Sequence, residues 1–529
     1  MNRSRKALAA AVALVPLLAG GFIYQERATQ NSARLFDQVL GLVSERFVDS
    51  VQTGALYEKA ARGLLHELKD PYSELYTPKQ LAQFTQNTGG RYGGLGMQIE
   101  EVQGRGISVS KVFPNTPAER AGVQAGDFIV GIDTVVTRGW KNTQVSEALK
   151  GEPGTQVTVR FARAGVTEPI VAKFTRAIIH IPAVPYTLTF NDNIGYIPLA
   201  QFNETAGEEI SKAVLEQQAR GAKGLVLDLR ENPGGYLEQA LAISNLFLQP
   251  GQEILSVRGR GAPSQTYVAR GKPIAPTIPI VILTDERTAS AAEIVAGALQ
   301  DHDRALIIGT TSFGKGLVQT LFNLDGGYAV KLTTAKWYTP VGRSIQKERT
   351  LTDDGQFVEV YPDSVPADSV KKLRPEYKSD AGRVVYGGGA ITPDIIVQPD
   401  TLTTAEQTLA RTLAPRGPDY FAVLAKYAYD LKPTVQPGFA VSAAWRDTLY
   451  SRLQTAGVAV DRATWNAGAA YIDRQLGNEV ARRAFGDSTI LRRGLKDDPQ
   501  LRKALEVLDK GQTQRDLFAL VPANSPSKP

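Results

Sequence analysis

The chain has 529 residues, too many for one ordinary hydrophobic core, and divides into about three or four units. Cysteine is absent, which excludes disulfides, a thiol nucleophile, lipid attachment through cysteine and thiolate metal sites. The formal charge of +6 sits mostly after residue 401, where 18 Lys/Arg are interspersed with 13 Asp/Glu, so no basic block supports nucleic-acid binding.

At the start, Arg3, Arg5 and Lys6 precede an apolar run from Ala7 to Tyr24 that ends in small residues around Ala19, Gly20 and Gly21. This pattern predicts a signal peptide or a retained membrane anchor over 1–27, with the bulk of the chain exported to the periplasm or the outer face of the inner membrane. Over 30–85, Phe36, Val39, Leu40, Val43 and Phe47, then Tyr57, Ala60, Leu64, Leu65 and Leu68, recur at helical spacing and predict two packed helices. Asp70-Pro71-Tyr72-Ser73 breaks that pattern.

From 89 to 165 the texture changes to short strands punctuated by glycine: Gly93-Gly94-Leu95-Gly96-Met97, then Ile107–Val112, Phe128–Ile132 and Gln156–Phe161. The glycine-rich turn, the strand after it and the phrase from Ala121-Gly122-Val123 through Gly126-Asp127 to Ile129 together resemble a PDZ domain. In such a turn, closely spaced backbone N–H groups at Gly93, Gly94, Leu95, Gly96 and Met97 hold a carboxylate while the next strand pairs with a peptide edge. The implied ligand is the C-terminal tail of a protein.

Residues 180–400 alternate strand and helix. Ile194–Leu199, Gly224–Leu229, Ile278–Thr284 and Ala305–Gly309 are apolar strands, with helices over Ala206–Gln218, Tyr236–Phe247 and Ser290–Leu299 between them. That order predicts a parallel sheet with right-handed crossovers, and Leu317–Phe322 and Tyr328–Ala335 flank a hairpin turn. Residues 403–520 read as a helical extension without a chemical motif, open as an adaptor site or a self-association surface, and 521–529 as a disordered tail. The fold class is therefore multidomain α/β.

Ser290 follows a buried strand and opens a helix, which places it at the carboxyl end of the sheet beside free backbone N–H groups. A serine hydroxyl needs a base, and the three histidines, His66, His180 and His302, each fall where a structural or solvated role is simpler. Lys315 is the alternative. Its neighbours Phe313, Gly314, Gly316, Leu317 and Val318 bring little charge, and an amine in an apolar site loses its proton readily. Gln319, four positions on, shares a face with it.

These stretches, Thr288-Ala289-Ser290-Ala291-Ala292-Glu293, Phe313-Gly314-Lys315-Gly316 with Gln319, Gly224–Arg230 with Glu231-Asn232-Pro233-Gly234-Gly235, and Gly387-Gly388-Gly389 with Thr392-Pro393-Asp394, resemble the carboxyl-terminal processing peptidases, or tail-specific proteases. The resemblance runs from about 33 to 400 and implies an α/β core of the ClpP/crotonase-like type with an inserted PDZ domain. It implies a Ser290 nucleophile, a Lys315 general base, Gln319 as its orienting partner, and oxyanion donors at Ala291 and one of Gly234 and Gly235. Family members usually carry Asn where this chain has Glu231. Glu293 and Asp228 are read as structural, since the Ser/Lys scheme uses neither; it also requires no metal or cofactor. The implied substrates are exported proteins with apolar C-terminal tails. A non-catalytic tail-binding protein and a hydrolase of small esters or lipids are the competing classes.

Overall fold

The computed structural model describes residues 34–102, 104–163, 166–260, 263–351, 357–359 and 374–521. They fall in two units, one of residues up to Pro78 with Gln319–Thr333 and one of Lys79–Val318 with Thr334 onward. No helix among the described residues is long and apolar enough to cross a membrane, and the apolar run 7–24 lies outside them, as do 522–529.

The smaller unit holds a helix over 34–46, a helix over Thr53–Glu67 and a strand Glu74–Tyr76 that pairs antiparallel with Ala329–Lys331. Its hairpin turns at Gly326 and Gly327, both at positive φ (68° and 78°), where a side chain would be strained. Polar contacts tie the pieces: Lys331 Nζ donates to Tyr76 OH at 2.7 Å and Tyr328 OH to Glu58 at 3.2 Å.

In the larger unit, a β-domain comes first: β1 (Met97–Val102), β2 (Gly106–Val112), β3 (Phe128–Ile132), helix α1 (Asn142–Leu149), β4 (Gln156–Ala162) and β5 (Ile170–Thr175). The strands are antiparallel in the order β1-β2-β3-β4-β5, so β1 is an edge strand. Alternation does the folding: Val157, Val159 and Phe161 of β4 are buried with Ile107, Val109, Ile129 and Val145, while intervening residues face out.

The α/β core follows with β6 (Leu188–Phe190), β7 (Ile194–Pro198), α2 (Ala206–Ala219), β8 (Gly224–Asp228), α3 (Leu237–Asn245), β9 (Ile280–Thr284), α4 (Ala291–Asp301), β10 (Leu306–Gly309) and β11 (Ile395–Ile396). The sheet runs in that same strand order, antiparallel between β6 and β7 and parallel thereafter. Strands β8 and β9 are buried at every position because both faces are covered. Leu225, Leu227, Ile280 and Ile282 pack under α2, α3 and α4. Val226, Val281 and Leu283 point the other way, onto Leu501, Ala504, Leu505 and Leu508.

Those last residues belong to α7, and the chain's final quarter divides in two. Helices Thr404–Leu413, α5 (Gly417–Leu431), Ala443–Thr455 and α6 (Ala469–Phe485) form a bundle with its own core around Leu424, Leu449, Trp465 and Leu476. Helices α7 (Pro499–Lys510) and α8 (Gln514–Ala519) return to cover the sheet. The bundle also grips the β-domain: Tyr429 OH of α5 donates to Gly126 O at 3.0 Å, its ring meets Phe128 edge-on at 5.8 Å, and Arg483 of α6 pairs with Glu100 of β1.

Leu508 presses on Gly224, where an added Cβ would come within 2.9 Å of its Cδ2. Truncating it should leave a cavity between α7 and β8 and cost about 2–4 kcal/mol. Urea denaturation of Leu508→Ala, followed by tryptophan fluorescence, checks this; an unchanged midpoint would mean that α7 is not needed to cover the sheet.

Candidate active site

Ser290 caps α4 at the carboxyl end of β9, with φ 55° and ψ −114°. A non-glycine residue in that region is strained and persists only where its surroundings enforce it. The enforcement comes from Glu293, fully buried one turn into α4. Its Oε2 accepts the backbone N–H of Ser290 (2.8 Å) and of Lys315 (2.9 Å), and its Oε1 accepts Gly314 N–H (2.7 Å) and the Ser312 hydroxyl (2.5 Å). Burial pushes the Glu293 carboxyl up, and the four donors pull it back toward the charged form that can accept them all.

One carboxylate therefore joins the turn that carries Ser290 to the loop that carries Lys315, and both residues are half-buried. Phe313 N–H adds a bond to Thr288 O at 2.9 Å. The loop is pinned from its far side as well: Trp337 Nε1 donates to Lys315 O (3.2 Å) and Gly316 N–H to Gln346 Oε1 (2.9 Å). Sequence neighbours of Lys315 are apolar, but the fold adds charge from a distance. Lys347 packs where a Cβ on Gly314 would lie, 2.5 Å from its Cγ, and Arg349 donates to Phe313 O at 2.7 Å. Gln319 belongs to the smaller unit, where its amide donates to Thr333 Oγ1 at 3.4 Å.

The turn after β8 lies against Ser290. Asn232 organises it: its carbonyl accepts Ala289 N–H (2.9 Å), its Nδ2 donates to Leu199 O (2.6 Å) and its Oδ1 accepts Gly234 N–H (2.8 Å). Gly234 sits at φ 92°, and a Cβ there would fall 2.9 Å from both Ala291 N and Ser290 Cβ. The two candidate glycines are thus distinguished. Gly234 N–H is engaged, whereas the N–H groups of Gly235 and Ala291 donate to no protein acceptor among the described residues. Glu231 points away from this, to Arg287 at 2.5 Å, and sits at φ 60°.

His180 is held by Glu209 at 2.6 Å, and His302, at the C-terminal end of α4, lies between Asp380 and Glu253 O, each at 2.7 Å. Among the described residues no three His, Cys, Asp or Glu form a metal-binding group.

In the β-domain the predicted carboxylate turn is split. Gly93 and Gly94 are in a strand paired with Ile178 and Ala177, and Gly93 backs onto Gly151 so closely that a Cβ would lie 2.1 Å from its carbonyl oxygen. Leu95 and Gly96 remain as the turn itself, and their N–H groups donate to no protein acceptor among the described residues. They open a groove between β1 and α1, lined by Leu95, Met97, Ile99, Leu149 and Tyr92. Burial pushes the Tyr92 hydroxyl up to about 12, so it stays neutral in that wall. Asn142 of α1 crosses the groove, donating to Ile99 O at 3.4 Å.

Two substitutions probe this geometry. Glu293→Gln replaces one acceptor oxygen with an NH₂ group facing N–H donors, leaving groups unsatisfied at about 1–3 kcal/mol each; thermal unfolding should shift down, and fluorophosphonate labelling of Ser290 should slow at least about tenfold. Gly234→Ala drives a methyl group against Ala291 N and Ser290 Cβ. It should block labelling even in protein that keeps its native circular dichroism spectrum, as intact-mass measurement would report.

Three family models match the chain: peptidase family S41 over residues 193–355, a PDZ domain over 108–163, and the activating protease CtpB N-terminal domain over 23–79. A carboxy-terminal-processing protease of Bartonella bacilliformis is 39% identical over 326 residues, 61% of this chain and 74% of that protein. A carboxy-terminal processing protease of Bacillus subtilis is 37% identical over 293 residues, 55% of this chain and 62% of that protein. Among solved structures, a photosystem II D1 C-terminal processing protease aligns with 28% identity, covering 71% of this chain and 89% of that one, at a TM-score of 0.36. With this likeness spanning most of the Bartonella protein, and the peptidase family S41 match covering residues 193–355, the chain belongs to the carboxy-terminal-processing proteases of peptidase family S41.

Proposed function

We propose that the chain is a serine endopeptidase with a Ser290 nucleophile and a Lys315 general base, on an α/β core of the ClpP/crotonase-like type. The observation that carries this reading is the Glu293 carboxylate, whose Oε2 takes the backbone amides of both residues. Backbone strain enforced by a buried acceptor beside a lysine loop is of the kind that clusters at functional sites.

In the proposed reaction a neutral Lys315 amine takes the Ser290 hydroxyl proton as the oxygen attacks a peptide carbonyl carbon. The oxyanion is met by the N–H groups of Ala291 and Gly235, while Gly234 contributes space by lacking a side chain. The C–N bond then breaks, the leaving amine takes the proton from Lys315, and water, deprotonated by the same amine, hydrolyses the ester. Gln319 is proposed to orient the Lys315 amine.

Substrates are exported proteins whose apolar C-terminal tails enter the β1–α1 groove, the carboxylate meeting Leu95 and Gly96 N–H. The apolar lining supports this choice. The basic, then apolar, start of the sequence supports action outside the cytoplasm, with 7–24 as signal or anchor.

Ser290→Ala and Lys315→Arg should each abolish cleavage of a reporter bearing an apolar tail, arginine failing because it keeps its charge. Mass spectrometry of wild-type protein should find a fluorophosphonate adduct on Ser290. A wild type that binds the tail but neither cleaves nor labels would instead be a tail-binding module.

A further inference from the structure

The last helices reach the active-site turn through a single arginine. Arg230 closes β8 and stands four residues before Gly234. Its side chain donates to both carboxylate oxygens of Asp228, at 2.6–3.1 Å, and makes a two-pronged bond to Asp498, 2.9 Å to each oxygen. A further bond runs to Gln500 Oε1 at 3.1 Å. Tyr196 OH completes Asp228 at 2.7 Å. Burial alone would lower the arginine's pKa, but the carboxylates outweigh it and the value is raised, so the charge is secure.

Asp498 is itself fixed. It caps α7 by accepting Leu501 N–H at 2.9 Å, and α7 is anchored on the sheet by Leu501, Leu505 and Leu508. Gln500 donates to Val397 O at 2.9 Å, just past β11. Beyond α7, Gln514 brackets the entry of β9, accepting Ile280 N–H at 2.8 Å. Directly after Arg230 comes the turn itself, with Glu231 N–H on Asp285 at 3.0 Å and Asn232 bonded to the Ser290 loop.

We infer that Arg230 and Asp498 are positioning residues for the Glu231–Gly235 turn: the end of the chain sets where the backbone donors beside Ser290 stand. This rests on the peptidase reading above for its kinetic consequence, though not for its structural one. A planar guanidinium clasped by carboxylates on both sides fixes the direction in which the chain leaves β8. Loss of one carboxylate lets that exit angle relax. Asp285 and Asn232 still hold the turn, so the defect is one of placement and the fold survives.

The test uses the full chain with Asp498→Ala, Asp498→Glu and the control Leu508→Ala, which loosens the same helix without touching the ion pair. Hydrogen exchange read by mass spectrometry, with no substrate present, should show faster exchange over residues 230–236 in Asp498→Ala than in Leu508→Ala at equal thermal stability. On the tail-bearing reporter, kcat should fall about 10- to 100-fold with KM unchanged, and Asp498→Glu should recover most of it. Equal exchange in the two alanine variants, or losses of activity that simply track stability, would overturn the inference. Because exchange is measured without turnover, an inactive wild type would sink the proposed reaction while leaving the positioning claim decided.

Discussion

A carboxylate sealed in protein is costly unless its lone pairs are filled, and Glu293 has four donors with no competing acceptor. That requirement works in both directions. The helix α4 can bury Glu293 only if the 312–315 loop comes to it, and Ser290 can hold a positive φ only if its N–H has a partner there. Ser312 extends the arrangement outward, since its hydroxyl accepts Ile391 N–H at 2.8 Å while donating to Glu293. Two stretches thus meet on one carboxylate, with a third joined through Ser312, and the serine and lysine loops share a frame.

The rest of the core keeps that frame still. Helix α4 is buried along its entire length, and at its other end Arg343 and Asp301 form an ion pair with no exposure at all. Arg343 also reaches Gln300 and Tyr386 O, and Arg383 bonds Asp303 and Gln300 O. Such a buried pair contributes little net stability, but breaking it would strand a charge, so it holds the helix in one register. Rigidity at the far end of α4 matters for Ser290 because a short, packed helix transmits a shift along its axis.

How much of this is legible in the sequence follows from where the information lies. Ser290 and the Gly234–Gly235 turn stand in local strand-turn-helix patterns, and Lys315 in a glycine-flanked loop before a strand, so that each stands out in its own stretch. Glu293 stands in the same pattern as Ser290 and reads as structural, but its partners at 312–315 are contributed by another loop and do not show there. The same distance hides Asn232, whose bonds to Leu199, Gly234 and Ala289 engage the N–H of one glycine and not of the other. Lys347 and Arg349 escape a reading of Lys315 that looks only at its neighbours. In the β-domain the glycine run is visible, but that Gly93 and Gly94 serve strand pairing and a close approach to Gly151 depends on a strand more than eighty residues later.

The C-terminal helices present a different case. Leu501, Ala504, Leu505 and Leu508 make an ordinary amphipathic stripe with no chemical motif, which is why it reads as a separate extension. The missing half of the argument lies in β8 and β9. Strands with apolar residues on both faces must be covered on both, and α2, α3 and α4 all pack onto one side. Val226, Val281 and Leu283 therefore demand a second cover, and a helix late in the chain with a matching stripe supplies it. Counting faces against available apolar helices can thus assign such a segment to the core even when it carries no recognisable chemistry, and here the chain's end bonds to Arg230, directly before the Glu231–Gly235 turn.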